Sequence, residues 1–308
     1  MCRAAGVGTM GSMRIVLAGG SGFLGTALAR HWRAADHEVL QLVRGAADRP
    51  DERSWDPSAG VLDAAHLAGA DVVVNIGGAP IVRWPWTRGW RVLILNSRLE
   101  TTGTVARTVA ALDDRPALVN ASGVNYYGAD RGVEQLDEES TSGDGFLADV
   151  CRQWEAATQP AADAGSRVAI LRTSPVLHRS GGVLKLAKLP FQVGLGGRLG
   201  SGEQFFASIS LDDYLAAVTR IVTDDNLDGP FNLAAPLAAT NRELTRALGR
   251  RLNRPTAVPA PAFALRAVAG EQSSLLLGSL NVAPRRLIDA GFEFAHPTIE
   301  EQVDAAFA

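Results

Sequence analysis

The stretch "RIVLAGGSGFLGTALAR" (residues 14–30) decides the fold, because a strand pattern, a glycine loop and a helix pattern follow one another directly. Gly20, Gly22 and Gly25 match the spacing G-x-G-x-x-G. Glycines so placed permit a tight turn, let backbone N–H groups approach a pyrophosphate, and allow close packing of helix on strand. A glycine turn without a ligand is the alternative, and the register of strand, loop and helix favours dinucleotide binding. The predicted contacts from this loop are Gly19, Ser21, Gly22, Phe23, Leu24 and Gly25.

Similar apolar runs recur along the chain, and helical patterns lie between them. The runs are rich in β-branched residues and continuous, which is typical of strands buried on both faces of a parallel sheet. The repeated order of strand and helix predicts an α/β fold, a Rossmann-like doubly wound parallel sheet. The further runs are at residues 38–43, 71–76, 117–121, 167–172 and 231–235, and helical spacing appears at 25–35 and 96–112.

The pattern changes after residue 182, where a glycine-rich, irregular stretch is followed by helices without alternating strands. A helix is expected over 210–222, with Ser210 or Asp212 as its N-cap. We predict a small, mainly helical C-terminal substrate domain whose cleft with the sheet domain holds the substrate. The predicted boundaries are a disordered leader at 1–12, a Rossmann domain at 13–180 plus 208–235, and the small domain at 181–207 plus 236–308.

Composition restricts the classes of partner. The 308 residues carry 30 basic and 33 acidic side chains, a net charge of −3, so we expect no nucleic-acid partner. No apolar run reaches the roughly 18 residues of a membrane span, so we expect no membrane partner. Two cysteines cannot build a disulfide framework, which favours a cytoplasmic location. The five histidines lack metal-ligand spacing, so no metal site is predicted. A monomer or a homodimer is expected.

The residue after the second predicted strand indicates which dinucleotide is bound. An acidic side chain about 20 residues beyond the loop would bind the ribose 2′-hydroxyl of NAD. This sequence has Arg44 there, with Arg49 as a second candidate. A guanidinium suits the 2′-phosphate of NADP, whereas a solvated surface arginine is the alternative. The cofactor is therefore predicted to be NADP (NADPH).

Other candidate residues follow the ends of the predicted strands, where ligands gather in an open parallel sheet. Gly77 and Gly78 let a ribose or phosphate lie against the backbone. Arg98 is a candidate phosphate contact, and a helix-surface ion pair is equally compatible with its position. The remaining strand-end candidates for cofactor contact are Ala79, Ser122 and Ser174.

The order of these motifs resembles the extended short-chain dehydrogenase/reductases, and more narrowly their atypical, epimerase-like branch. The resemblance covers nearly the whole chain from Met13 and implies an NADP-binding oxidoreductase or epimerase-like enzyme. It also implies a small polar substrate, among which a nucleotide-sugar is one choice. The motifs are "LAGGSGFLG" (17–25), "SWDP" (54–57), "VNIGGAPI" (74–81), "NSR" (96–98), "YYG" (126–128), "CRQWE" (151–155), "GLGGRLGSG" (194–202), "GPFNLAAP" (229–236) and "GFEF" (291–294).

The catalytic pair of the wider family is missing. Typical members carry Tyr-x-x-x-Lys on the helix after the fourth long strand, and here the matching positions hold Phe146 and Val150. Neither side chain transfers a proton, so we expect an apolar wall beside the nicotinamide. The catalytic candidates are then Ser122, Tyr126 and Tyr127, although one of the two tyrosines is expected only to pack under its loop. The alternative is a non-catalytic NADP-binding sensor or regulatory module.

Overall fold

A seven-stranded parallel sheet lies at the centre of the computed structural model, which describes residues 11–192 and 194–308. The strand order is β10-β7-β5-β4-β1-β2-β3. Two short two-stranded pairs, β6 with β11 and β8 with β9, lie outside this sheet. The strands are β1 (Arg14–Ala18), β2 (Glu38–Val43), β3 (Glu52–Ser54), β4 (Val72–Asn75), β5 (Ala117–Gly123), β6 (Gln135–Leu136), β7 (Val168–Thr173), β8 (Val176–Leu177), β9 (Ile209–Ser210), β10 (Gly229–Leu233) and β11 (Asn281–Val282).

Eleven α-helices occur within the described residues. Three 3-10 helices, at Ala64–His66, Val124–Tyr127 and Gly270–Ser273, accompany them. The α-helices are α1 (Phe23–Ala34), α2 (Arg88–Ala110), α3 (Phe146–Ala156), α4 (Gln159–Asp163), α5 (Leu184–Gln192), α6 (Leu211–Thr223), α7 (Asn241–Leu252), α8 (Ala262–Ala269), α9 (Ser274–Leu277), α10 (Arg285–Asp289) and α11 (Ile299–Ala306).

The sheet is covered on both faces. One core cluster joins it to α1 and α6, with Trp32 and Ile221 fully buried. The second joins the opposite face to α2 and α4, through Val109 and Ala161. Burial on both faces explains why the strand sequences are continuously apolar. The Rossmann-like fold that the sequence predicts is therefore confirmed.

The site is positioned by the point at which the strand order reverses. β1 pairs with β2 on one side and with β4 on the other, both in parallel. After β1 and β4 the chain therefore continues to α1 and α2 on opposite faces of the sheet, and the crevice at the carboxyl edge between them is the usual ligand position in such sheets. The glycine loop, Gly19–Gly25, which includes the first residues of α1, borders this crevice.

Three of the helices after residue 182 build a third cluster. Leu184 of α5, Leu248 of α7 and Val303 of α11 are buried together. The segment after α10 returns to the sheet, where Phe292 packs against the first cluster. The proposed division into two domains stays a prediction. The predicted leader lies, for residues 1–10, outside the described part of the chain.

Sequence and structure differ mainly at the edges. β3 was not predicted, because its three residues are polar and an edge strand needs no apolar run. Ser210 is the N-cap of α6, since its Oγ accepts a hydrogen bond from the backbone N–H of Asp213 at 3.0 Å. Of the two predicted caps, Asp212 instead lies in the first helical turn. None of the described helices combines the length and the apolar character that a membrane span requires.

Candidate functional site

The glycine loop is shaped by close backbone approaches. Gly19 has φ of +92°, and a Cβ there would lie 2.8 Å from the backbone nitrogen of Gly77. A Cβ on Gly25 would collide with the carbonyl of Gly19 and lie 2.7 Å from Gly20 Cα. Gly22 is the N-cap of α1 and supplies no side-chain cap. The first N–H groups of α1 are therefore not bonded by a capping side chain, and the helix end can accept an anion.

The other predicted loop residues differ in exposure. Ser21 is exposed, whereas Phe23 and Leu24 are half-buried and pack against the first core cluster. The ring of Phe23 also stacks on His178, with centroids 5.8 Å apart. Phe23 and Leu24 therefore anchor the start of α1, while Ser21 and the adjacent backbone face solvent.

A cleft of about 850 Å³ lies between this loop, α1 and the ends of β2 and β3. Two arginines that line it are already paired, since Arg49 contacts Glu52 at 2.7 Å and Arg33 contacts Asp51 at 2.5 Å. Arg44, immediately after β2, is exposed. Within residues 11–192 and 194–308, no hydrogen bond or ion pair engages Arg44, so its guanidinium is available to a ligand.

Arg98 of α2 packs against the loop after β4, which contains Gly77, Gly78 and Ala79. Its Nη1 donates to the carbonyls of Ala79 at 3.0 Å and Ile94 at 2.9 Å, and its Cζ lies 4.7 Å from the ring centroid of Trp154. A Cβ on Gly78 would lie 3.1 Å from Arg98 Cζ. Arg98 is buried, and burial lowers its pKa to about 10. A helix-surface ion pair is therefore the wrong alternative for this residue.

The rest of that loop is held by short polar contacts. The backbone N–H of Gly77 donates to Asn75 Oδ1 at 3.2 Å, and that of Ala79 donates to Ser97 Oγ at 3.0 Å. Gly77 also lies against Gly19, so the loops after β1 and β4 touch at the crevice. Gly77 therefore lies beside the glycine loop, and Gly78 and Ala79 follow it over Arg98 and Ser97; their contact with a cofactor stays a prediction.

Ser122 lies at the end of β5 in a buried polar network. Its hydroxyl donates to Glu155 Oε1 at 2.7 Å. Arg172 holds the same carboxylate with two hydrogen bonds, from Nε at 3.0 Å and from Nη2 at 2.9 Å. The side chain of Arg172 is 5 % exposed and that of Glu155 15 %. Such a desolvated, bidentate pair orients the serine and leaves its hydroxyl proton engaged.

The two adjacent tyrosines have different environments. Tyr127 is fully buried, and its hydroxyl lies 2.8 Å from both Asn232 Oδ1 and the Asp137 carbonyl. Burial raises the pKa of Tyr127 to about 12, which makes it a poor proton-transfer group. Tyr126 is half-buried, with its ring centroid 3.5 Å from Arg172 Cζ. Its hydroxyl has no hydrogen bond among the described residues, so Tyr127 is the tyrosine that packs under the loop.

The positions of the missing pair are apolar in the structure as in the sequence. Phe146 begins α3, and its ring meets that of Trp86 edge to face with centroids 5.6 Å apart. The guanidinium Cζ of Arg91 lies 4.2 Å from the centroid of the same Phe146 ring. Val150 is 2 % exposed. These side chains pack and do not exchange protons. That they form a wall beside a nicotinamide stays a prediction.

Ser174, a predicted cofactor contact, is more deeply buried than such a contact requires. It is 2 % exposed, and its hydroxyl donates to the carbonyl of Leu233 at 2.6 Å. The hydroxyl thus ties the chain after β7 to β10. Within the described residues, no group of three or more His, Cys, Asp or Glu side chains is arranged to hold a metal ion.

Glu155 and Arg172 are the site residues that the sequence interpretation did not assign. Glu155 ends the motif "CRQWE" (151–155), and Arg172 ends the apolar run "RVAILR" (167–172). The available signal was Arg172 itself, because a charge that ends a buried apolar strand needs a partner. Nothing in the spacing names Glu155 as that partner, 17 residues earlier.

The comparisons with known proteins agree with this geometry. Residues 15–175 match the model of the NAD dependent epimerase/dehydratase family, and residues 260–306 match a domain of unknown function, DUF1731. This chain therefore belongs to the NAD dependent epimerase/dehydratase family. Its relatives include proteins called epimerase family protein SDR39U1, which confirms the resemblance to atypical extended short-chain dehydrogenase/reductases.

Several relatives are similar over nearly their full length. An epimerase family protein of Mycobacterium tuberculosis is 41% identical over 299 residues, 96% of this chain and 98% of its own. Human SDR39U1 is 35% identical over 294 residues, 93% and 97% of the two chains.

Two solved structures are similar at comparable identity. The crystal structure of human SDR39U1 (isoform 2) with NADPH superposes with a TM-score of 0.86 at 33% identity, covering 96% of this chain and 99% of that one. A nucleoside-diphosphate sugar epimerase of Corynebacterium glutamicum has a TM-score of 0.78 at 34% identity, over 95% of this chain and 58% of that one.

Proposed function

We propose that this protein binds NADP(H) at the glycine loop and acts as an epimerase-like oxidoreductase on a small polar substrate. The observation that carries the proposal is the joint geometry of Gly19–Gly25 and Arg44. The loop presents uncapped N–H groups of α1, and the exposed guanidinium of Arg44 follows the neighbouring strand without a partner among the described residues. Pyrophosphate and 2′-phosphate are the anions that this pair of features suits.

The choice of NADP over NAD has two supports. A carboxylate that would bind a ribose 2′-hydroxyl is replaced by Arg44 at the end of β2. The human SDR39U1 structure, 33% identical to this chain, contains NADPH. Arg49 is held by Asp51 and Glu52, so Arg44 is the principal 2′-phosphate contact in this proposal.

Proton transfer is assigned to Tyr126. NADPH, when bound, supplies a hydride to a substrate carbonyl carbon, and the carbonyl oxygen then needs a proton. Tyr126 offers a hydroxyl without an internal partner on a ring that Arg172 orients, whereas Ser122 and Tyr127 are engaged in the buried network. In the reverse direction the deprotonated oxygen of the same side chain receives the proton of a substrate alcohol. Ser122 then takes part only through its hydrogen bond to Glu155, the partner of Arg172.

Arg44→Gln tests the cofactor assignment. Removing a charged hydrogen bond to phosphate should weaken NADPH about ten- to a hundredfold, with NADH unchanged. Fluorescence titration with both nucleotides measures this difference. Arg115→Gln is the control. Arg115 is exposed and lies just before β5, at the amino ends of the strands, whereas Arg44 follows the carboxyl end of β2. Equal losses for NADPH and NADH would refute the 2′-phosphate contact.

The engaged Ser122 hydroxyl and the apolar Phe146 and Val150 favour a second candidate, an NADP-binding sensor without hydride chemistry. Nicotinamide absorbance across a panel of small carbonyl compounds separates the two functions. Turnover that Tyr126→Phe lowers at least about tenfold, with KM little changed, supports the enzyme. NADPH binding at micromolar strength with no absorbance change across the panel supports the sensor.

A further inference from the structure

A cleft of about 290 Å³ lies between α7 and the glycine-rich segment 194–202, away from the residues of the dinucleotide loop. Three arginines line it, Arg198 from the segment and Arg242 and Arg246 from α7. We propose that this arginine cleft, completed by Thr245 and Thr256, binds a phosphate or diphosphate group. Its volume is at the lower end of small-molecule pockets, which suits one anionic group better than a whole dinucleotide.

The charge around the arginine cleft is unbalanced. Within the described residues, the only carboxylate paired with its arginines is Glu203, which contacts Arg242. Arg198 and Arg246 form no ion pair with any described residue, so three guanidinium groups meet one carboxylate. Arg242 and Arg246 are also four residues apart on one helix, where like charges repel. A bound dianion would remove that repulsion and neutralise the remaining +2.

The other end of α7 shows what structural arginines look like in this protein. Arg250 pairs with Glu300 of α11 at 2.9 Å, and Arg251 lies 3.7 Å from Asp304 of the same helix. These two arginines join α7 to α11. Arg246, one turn earlier, is exposed and has no such partner among the described residues. In the same helix, Arg250 and Arg251 stabilise the packing on α11, whereas Arg246 is available to a ligand.

The backbone holds the arginines in place. The N–H of Leu199 donates to Asn241 Oδ1 at 2.8 Å, and Leu199 and Gly197 bridge to the segment around Ala257. Gly202 has φ of +78°, and a Cβ there would lie 3.2 Å from Cβ of Arg198 and 3.3 Å from Cβ of Arg242. The two side chains therefore start from positions fixed by the fold, which lowers the entropy that ligand binding costs.

Two polar groups in the cleft have no hydrogen-bond partner among the described residues. Thr245 is 5 % exposed, and its hydroxyl forms none. The Nε of Arg242 is buried without an acceptor. A buried guanidinium N–H without a partner, like that of Arg242 Nε, is unfavourable, and phosphate oxygens accept from both guanidinium and hydroxyl groups. These groups point to an anionic oxygen ligand independently of the net charge.

Titration of the whole chain with inorganic pyrophosphate, followed by calorimetry at low ionic strength, tests the site. We expect Arg246→Gln to weaken pyrophosphate binding at least about tenfold, and Thr245→Val to weaken it less. Arg250→Gln is the matched control, because it removes an equal charge from the same helix, and it should keep the wild-type affinity because Arg250 does not line the cleft. NADPH affinity should be unchanged in Arg246→Gln, which separates this cleft from the glycine loop.

The same measurements can overturn the proposal. Wild-type affinity in Arg246→Gln would place pyrophosphate on the glycine loop instead. An equal loss in Arg250→Gln would mean that only the net charge of α7 matters. Wild-type protein that binds pyrophosphate no better than chloride would remove the site altogether. None of these outcomes depends on whether the chain transfers a hydride.

Discussion

The glycine loop and the end of β5 lie at the same edge of one sheet, yet they use opposite chemistry. The loop has almost no side chains, and the first N–H groups of α1 remain without a side-chain cap. At the end of β5 the polar side chains bond to one another, from Ser122 through Glu155 and Arg172 to Tyr127. One region is open to a ligand, whereas the other is already satisfied. Cofactor binding and catalysis can therefore be perturbed separately, in the following ways.

Glu155→Ala should have the largest effect. It leaves Arg172 buried without its carboxylate, and breaking a buried ion pair costs about 3–5 kcal/mol in the free energy of unfolding. Urea denaturation measures the change. The control is Glu300→Ala, whose partner Arg250 is 65 % exposed and which should cost no more than about 1 kcal/mol. Similar losses in the two variants would mean that the β5 network does not stabilise the fold.

Gly25→Ala should have the second largest effect on stability. The added Cβ meets the carbonyl of Gly19, so the loop must shift, at about 1–3 kcal/mol and with a large loss of NADPH affinity. Gly89→Ala in the first turn of α2 is the matched control, because nothing lies within 4 Å of its added Cβ. Thermal unfolding and NADPH titration give both readouts. Unchanged NADPH binding in Gly25→Ala would separate this loop from the cofactor.

Alkaline pH should have the next largest effect, a loss of stability that arises from Tyr127 in the β5 region. Burial raises the pKa of Tyr127 to about 12, from 10.0 in an unfolded chain. The folded state therefore favours the neutral phenol, and this stability is complete below pH 10 and is lost between pH 10 and about 12. Urea denaturation over that interval should show a shallower decline in Tyr127→Phe than in the wild type. Parallel declines would contradict the assigned cause. Burial also raises the pKa of Cys151 and Tyr214, so some decline remains in the variant.

Ser122→Ala should have the smallest effect on stability. It removes one hydrogen bond to Glu155, whose two bonds from Arg172 remain, at a cost of about 0.5–1.5 kcal/mol. NADPH affinity should stay unchanged, since the glycine loop is untouched. A fall in turnover much larger than that of Tyr126→Phe would move the proton-transfer role from Tyr126 to Ser122.

The fold followed from local patterns, and the reason is visible in particular elements. β2 has the bounds that its apolar run at 38–43 predicts, and α6 lies within one residue of the helix expected over 210–222. The loop of Gly19–Gly25 is equally local, since its geometry depends on neighbouring residues and on the absence of side chains. β3 escaped prediction because three polar residues at a sheet edge carry no periodic signal.

The sequence by itself determined the parallel sheet, the glycine loop, the arginine after β2 and the absence of the Tyr-x-x-x-Lys pair at Phe146 and Val150. Each of these depends on residues within one turn or one strand. Only the tertiary structure decided that Tyr127 is buried while Tyr126 is not, that Arg98 lies beneath Gly78, and that Glu155 neutralises Arg172. Those outcomes depend on burial and on partners that are distant along the chain, and neither is a property of residue spacing.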